Sequence, residues 1–369
     1  MAVTAGLPAY PWDSLAAAAE LAAAHPGGMV DLSIGTPVDP VPDVVRAALQ
    51  AAGNSPGYPA TAGSAALREA AAGWLARRHG VRVEETAVLP VIGTKEFIAW
   101  LPTLLGAGPG DVVVHPELAY PTYDAGARLA GATPVAADGL VALGPGRVRL
   151  VWLNSPSNPT GKVLPAEHLR KVVGWARDRD AVVASDECYI DLGWRDQPTS
   201  ILHPDACAGS HAGLLGVYSL SKRSNMAGYR AGFVAGDPGL IAHLLEVRKH
   251  AGMMMPGPVQ AAAVAALTDD THAEQQRARY AERRARLWPA LESAGWAVEE
   301  SAAGLYLWAT HPGLDAWSSV QRLAEAGILV APGDFYGPRG TRHIRVALTA
   351  TDERVDAAVS RLASLAAAA

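Results

Sequence analysis

The order of elements along this sequence predicts an α/β fold: a large doubly wound, mostly parallel sheet domain with a smaller α+β domain. Three observations carry the prediction. Between residues 43 and 270, short Val- and Leu-rich runs alternate with amphipathic stretches of helix length, the βα alternation of a parallel sheet covered on both faces. The runs are mostly apolar on both faces, as buried parallel strands are. After Thr268 the character changes to strands with helices to one side, the pattern of an α+β unit. The chain then divides into an N-terminal arm and part of the small domain (1–42), the large domain (43–270) and a C-terminal small domain (271–369).

Taken in order, Asp13 stands where it would cap a helix over 15–24, which contains Glu20 and is stopped by Pro26-Gly27-Gly28; that helix is too short to span a bilayer. Strands are expected over 87–92, 111–115, 133–136, 147–154, 181–185, 214–218 and 231–236. Ser64 caps a helix over 65–79, with Leu67, Ala71, Trp74 and Leu75 on one face and Gly80 just past its end. Further helices are expected over 94–105, 123–130, 165–178 and 238–250. Residues 274–293 read as a charged, arginine-rich helix with a solvated face and a bend at Pro289. Strands over 296–299, 305–309 and 343–348 and helices over 316–326 and 352–368 complete the chain.

With 369 residues, half of them hydrophobic (50%), and a net charge of -5, the chain can bury a large core. Its mild acidity, with a pI near 6.1, argues against nucleic acid or an anionic membrane as partner. Cys188 and Cys207 cannot build a disulfide framework or a zinc site and suit a reducing compartment. The start Met1-Ala2-Val3-Thr4-Ala5-Gly6 lacks the basic opening of a signal peptide. A cytoplasmic protein without a metal is expected.

The chemistry concentrates in Tyr218-Ser219-Leu220-Ser221-Lys222-Arg223-Ser224, which follows an apolar run and precedes Arg230 and a second run. A lysine walled in by serines at a strand end suits an imine to an aldehyde whose phosphate the hydroxyls hold; the plainer reading is a solvated lysine beside a polar turn. Asp186 ends an apolar run, where an acid is costly to bury without a cation facing it. A pyridinium nitrogen is one such partner, and capping a helix is the alternative role. Tyr189, three residues on, reaches the same place. Asn158, in Asn154-Ser155-Pro156-Ser157-Asn158-Pro159-Thr160-Gly161, lies in a turn after a strand. Gly93-Thr94-Lys95 joins a strand to a helix start suited to a phosphate, or is simply a tight turn. Tyr120 either stacks on a ring or packs in its loop. Arg345, among apolar neighbours, wants a carboxylate: a substrate's, or that of a structural ion pair.

As a set these residues resemble the fold-type I, pyridoxal-phosphate-dependent aminotransferases of classes I and II, from Ile34-Gly35-Thr36-Pro37 to Arg345. The resemblance implies that Lys222 holds pyridoxal 5'-phosphate covalently and that Asp186 pairs with its ring nitrogen. It implies that Asn158 and Tyr189 bond the phenolic oxygen and that Tyr120 stacks on the ring. Thr94, Lys95, Ser219 and Arg230 would hold the phosphate, with Tyr58 reaching in from the neighbouring subunit of a homodimer. Gly35 and Arg345 would border the carboxylate of amino-acid and 2-oxo-acid substrates. Finer segments, including residues 7–13, 93–102, 116–123 and 249–256, resemble actinobacterial N-succinyl-diaminopimelate aminotransferases of lysine precursor synthesis. That likeness implies an exchange with glutamate, with the succinyl end read near Gly35, Tyr10, Met253, Met254 and Met255. The distal-anion arginine of aspartate-type enzymes has no counterpart here. An aspartate, alanine or aromatic aminotransferase and a C–S lyase share the same cofactor residues. A regulator of this fold would need a helix-turn-helix extension, for which the arm before the large domain is expected to leave no room.

Overall fold

The computed structural model describes residues 6–139, 146–195 and 197–367. A sheet of seven strands runs, edge to edge, Val88–Val91, Gly232–Gly236, Leu214–Ser219, Val182–Asp186, Arg147–Asn154, Asp111–His115 and Thr133–Ala136. The last five are mutually parallel, and Gly232–Gly236 is antiparallel to both its neighbours. This is the doubly wound, mostly parallel α/β fold expected from the alternation. The one reversed strand has a consequence for the site. It brings its amino end, where Arg230 sits, to the same edge as the carboxyl ends of the other six.

Side chains leave each strand alternately to two apolar layers, as the period of two requires. Val183 and Tyr218 join the cluster built on Leu67, Trp74, Val172 and Ala263. Their neighbours Ala184 and Val217 join Phe97, Leu101, Tyr123 and Ile241. Helix ends follow the expected chemistry. Ser64 Oγ accepts from the Leu67 N–H at 3.2 Å at the start of Ala65–His79, and Gly80 closes that helix at φ 64°, a conformation open to glycine at little cost.

A third cluster fills the second unit. Here Ala331–Pro332, His343–Ala347, Tyr306–Thr310 and Ala297–Glu299 form an antiparallel sheet against the helices Thr271–Ser293, Ala316–Glu325 and Asp352–Ala367. The arm joins it by an unforeseen parallel pairing of Val30–Asp31 with Ile328–Leu329. Several expectations need correction. Asp13 caps nothing: a 3₁₀ turn, Pro11–Leu15, feeds directly into Ala16–Ala23, whose start has no side-chain cap. The arginine-rich helix starts at Thr271, three residues earlier than expected, and contains Pro289. Nor is that helix only a solvated face. Arg283 is buried, bonded to Asp39 at 2.6 Å and to Asp352 at 2.8 Å, and it ties arm, long helix and last helix together. The helix Gly257–Thr268 was not foreseen. The expected helix end at Ala368 and the stretch 1–5 lie outside the described residues.

Candidate active site

The shared sheet edge assembles the site. Asn154 and Asp186 are the last residues of adjacent parallel strands and partners in register. Next along the edge come Ser219 and the single-turn helix Leu220–Arg223 that carries Lys222. Gly93 and Thr94 follow Val88–Val91. A cavity of about 310 Å³ opens over this edge. Of the residues singled out in the sequence, Gly35, Thr94, Lys95, Tyr120, Asn158, Asp186, Tyr189, Lys222, Arg230 and Arg345 all line it.

Asp186 is buried, and its carboxylate is held from behind. Oδ2 accepts from the Tyr123 hydroxyl at 2.7 Å and Oδ1 from the Cys188 N–H at 3.2 Å. Tyr123 itself stacks on Trp152. Burial, with Asp186 alongside, pushes the Tyr123 phenol well above its ordinary pKa, so it stays a donor. An acid fixed this way and lining a cavity is a preformed partner for a cationic ring nitrogen.

At the other end, Gly93 has φ 94° and precedes the helix Thr94–Leu104. A Cβ there would run into the Arg230 guanidinium. The helix start, Thr94, Lys95 and Arg230 thus crowd into one cationic corner fit for a phosphate. Lys95 Nζ also lies 5.2 Å from the centre of the Tyr10 ring and 5.9 Å from that of Tyr120.

Arg345 is the middle residue of His343–Ala347 rather than a strand end. Its Nη1 donates to Asn158 Oδ1 at 2.9 Å and its Nη2 to the Ser33 carbonyl at 2.6 Å. Its Nε is buried with no partner among the described residues. The guanidinium lies 3.9 Å from the centre of the Tyr306 ring. Because Asn158 gives Oδ1 to Arg345, its Nδ2 is left to donate into the cavity.

Other expected residues do not line this chain's cavity. Ser219 does not line the cavity, since its Oγ accepts from the Ser221 N–H at 3.1 Å and caps the lysine's helix; Ser221 lines the cavity instead. Tyr58 is 99% exposed and outside its own chain's cavity. Met253, Met254 and Met255 do not line it either, and Met255 packs in the core of the large sheet. Residues that the sequence reading missed are Tyr123 and Tyr306. The Tyr306 hydroxyl lies 3.1 Å from that of Tyr189, and its ring blocks any side chain at Gly35.

The class I and II aminotransferase family model matches residues 27–362. The chain is 66% identical to "Probable aminotransferase Rv1178" of Mycobacterium tuberculosis over 98% of this chain and 86% of that protein. It is 60% identical to the 4-dedimethylamino-4-oxo-anhydrotetracycline transaminase OxyQ of Streptomyces rimosus, over 96% of this chain and 99% of that one. Among solved structures, a probable N-succinyldiaminopimelate aminotransferase from Thermus thermophilus superposes with a TM-score of 0.84 at 30% identity, covering 96% of this chain and 100% of that one. The chain belongs to the class I and II aminotransferases, and its cofactor is pyridoxal phosphate.

Proposed function

We propose that this aminotransferase exchanges an amino group between glutamate and N-succinyl-2-amino-6-oxopimelate, as a cytoplasmic homodimer. The observation that carries the reading is Arg345, a buried guanidinium whose Nε lacks a partner among the described residues, lining the same cavity as the acid Asp186. One site built this way can take the α-carboxylate of two different amino acids in turn. The finer substrate assignment is supported by the segment resemblances and by the Thermus thermophilus neighbour's name.

Bound pyridoxal phosphate supplies a carbonyl for the lysine and an electron-withdrawing ring. The protein's part is positioning and proton transfer. Asp186, fixed by Tyr123, would keep the ring nitrogen protonated. Asn158 Nδ2 and the Tyr189 hydroxyl would donate to the phenolic oxygen, and Tyr120 would lie against the ring. Thr94, Lys95 and Arg230 would hold the phosphate, with Ser219 supporting the lysine's helix and Tyr58 of a second subunit completing the corner. Gly35 leaves room for the substrate beside Tyr306. Lys222 Nζ, displaced by the substrate amine, would take the proton from the substrate Cα.

A second reading draws on a separate observation. The charged residues lining the cavity are Lys95, Asp186, Lys222, Arg230 and Arg345, and the remaining wall includes Tyr10, Trp12, Ile34, Tyr120 and Tyr306. No further cation among the described residues lines the cavity to meet a distal carboxylate. With the 60% identity to a transaminase of a polycyclic ketone, this favours a bulky, apolar acceptor. A competition assay with purified holoenzyme separates the two. Preference for N-succinyl-diaminopimelate over diaminopimelate and N-acetylornithine supports the first. Faster turnover of aromatic or polycyclic amines overturns it and supports the second.

A further inference from the structure

Adjoining Lys222 in sequence is a buried ionic cluster that the proposed reaction does not use. Arg223, the residue after Lys222, donates from Nε to Asp191 Oδ2 at 2.7 Å, with the two side chains 5% and 8% exposed. Its Nη1 donates to the Ala266 carbonyl at 2.9 Å at the end of Gly257–Thr268, and its guanidinium lies 5.4 Å from the centre of the Trp74 ring. On the other side, His79 Nε2 lies 3.2 Å from Asp191 Oδ1, and its ring packs edge-on to Trp74. Burial works against the Asp191 charge, yet His79 and Arg223 hold its carboxyl well below the usual range.

The two ends of this pair matter because of what they adjoin. Lys222 rides on a helix of one turn, Leu220–Arg223, far below the length at which a helix is stable by itself. Besides the Arg223 bonds, the turn is held at its ends by Leu220 N–H to the Ala231 carbonyl, Ser221 N–H to Ser219 Oγ, and Ser224 and Met226 N–H to the Leu220 carbonyl, and at Lys222 itself by the Tyr280 hydroxyl, 3.4 Å from the Lys222 carbonyl. Asp191 closes the turn that carries Tyr189, in which the Leu192 N–H donates to the Tyr189 carbonyl at 2.8 Å. Lys222 Nζ lies 5.7 Å from the centre of the Tyr189 ring.

We propose that the Arg223–Asp191 pair, backed by His79 and Trp74, is a positioning device that sets Lys222 against Tyr189. A single charge-assisted bond spans the residue next to the lysine and the residue two beyond the tyrosine. Loss of it lets the one-turn helix and the Tyr189 turn move independently, and misplacement of reacting groups by an ångström is costly in rate. The inference rests on the roles proposed above for Lys222 and Tyr189.

The test compares Arg223→Lys, Asp191→Asn and the double variant Asp191→Leu with Arg223→Met. Asp191→Asn leaves a buried charge unpaired and risks unfolding, whereas the apolar pair removes both charges at similar volume. The readouts are far-UV circular dichroism, kcat and KM for glutamate, and the pH midpoint of the visible absorbance change of the cofactor linked at Lys222. Expected is a folded double variant with kcat down about tenfold or more and KM within about twofold. Its absorbance midpoint moves by about 0.5 pH unit, and Arg223→Lys, where folded, lies between it and the natural chain. A folded double variant with natural kcat and midpoint overturns the proposal, as does one that cannot fold, since the pair then serves the fold alone. Failure of the roles proposed for Lys222 looks different: Lys222→Ala would then keep natural turnover whatever the pair does.

Discussion

At Lys222 the expected cost of substitution is chemical rather than structural. Lys222→Ala should still bind pyridoxal phosphate through the corner formed by Thr94, Lys95 and Arg230, yet lose transamination by on the order of a thousandfold or more. Cofactor content and turnover measured on the same sample check this. Next to Asp186 in sequence, Glu187 is a different case. Burial pushes its carboxyl up to about 7, although the Ile201 N–H donates to Oε1 at 2.7 Å, and Oε2 has no partner. Its folded value lies above its unfolded one. The stability it contributes is therefore complete below about pH 4.5 and lost as pH rises towards 7, a difference on the order of 3 kcal/mol. Glu187→Gln should raise Tm at pH 8 and change it little at pH 5; parallel melting profiles for the two proteins would count against it. Asp186 was legible in sequence because an acid ends an apolar run. Tyr123 and Tyr306 were not, since a tyrosine in an amphipathic helix or an apolar strand carries no mark of the hydroxyl's partner until the fold supplies it.

Among the elements, the start of Thr94–Leu104 does the most for the site. Gly93 holds φ 94° with Arg230 against the place where a side chain would go. Gly93→Ala must pay the left-handed backbone cost and displace the guanidinium, together on the order of 2 kcal/mol. The expected outcome is pyridoxal phosphate affinity lower by at least about tenfold with the melting curve of the cofactor-free chain shifted by only a few degrees; fluorescence titration of that chain measures it. The strands over 111–115, 133–136 and 147–154 were readable to the residue, because each is an apolar run bounded by turn residues. Gly257–Thr268 was not, because it is alanine-rich and apolar all round and shows no stripe of period 3.6. The pairing of Val30–Asp31 with Ile328–Leu329 was equally hidden, as two-residue strands give no periodicity at all.

For the whole molecule, the fold class followed from βα alternation, whereas one tie between arm and small unit, Arg283 with Asp39 and Asp352, is a charged cluster that sequence pattern reads as surface. Tyr58, 99% exposed on a chain whose other aromatics are mostly covered, carries the expectation of a homodimer. Sedimentation at micromolar concentration should give a dimer, and Tyr58→Ala should weaken cofactor binding without dissociating it; a fully active monomer would refute the shared site. The most direct test of the aminotransferase reading is the half-reaction. Purified holoenzyme mixed with excess glutamate and no 2-oxo acid should release one equivalent of 2-oxoglutarate per chain and then stop, with the visible spectrum of the cofactor changed once. Continued turnover under those conditions, or release of ammonia in place of a stoichiometric burst, would contradict it.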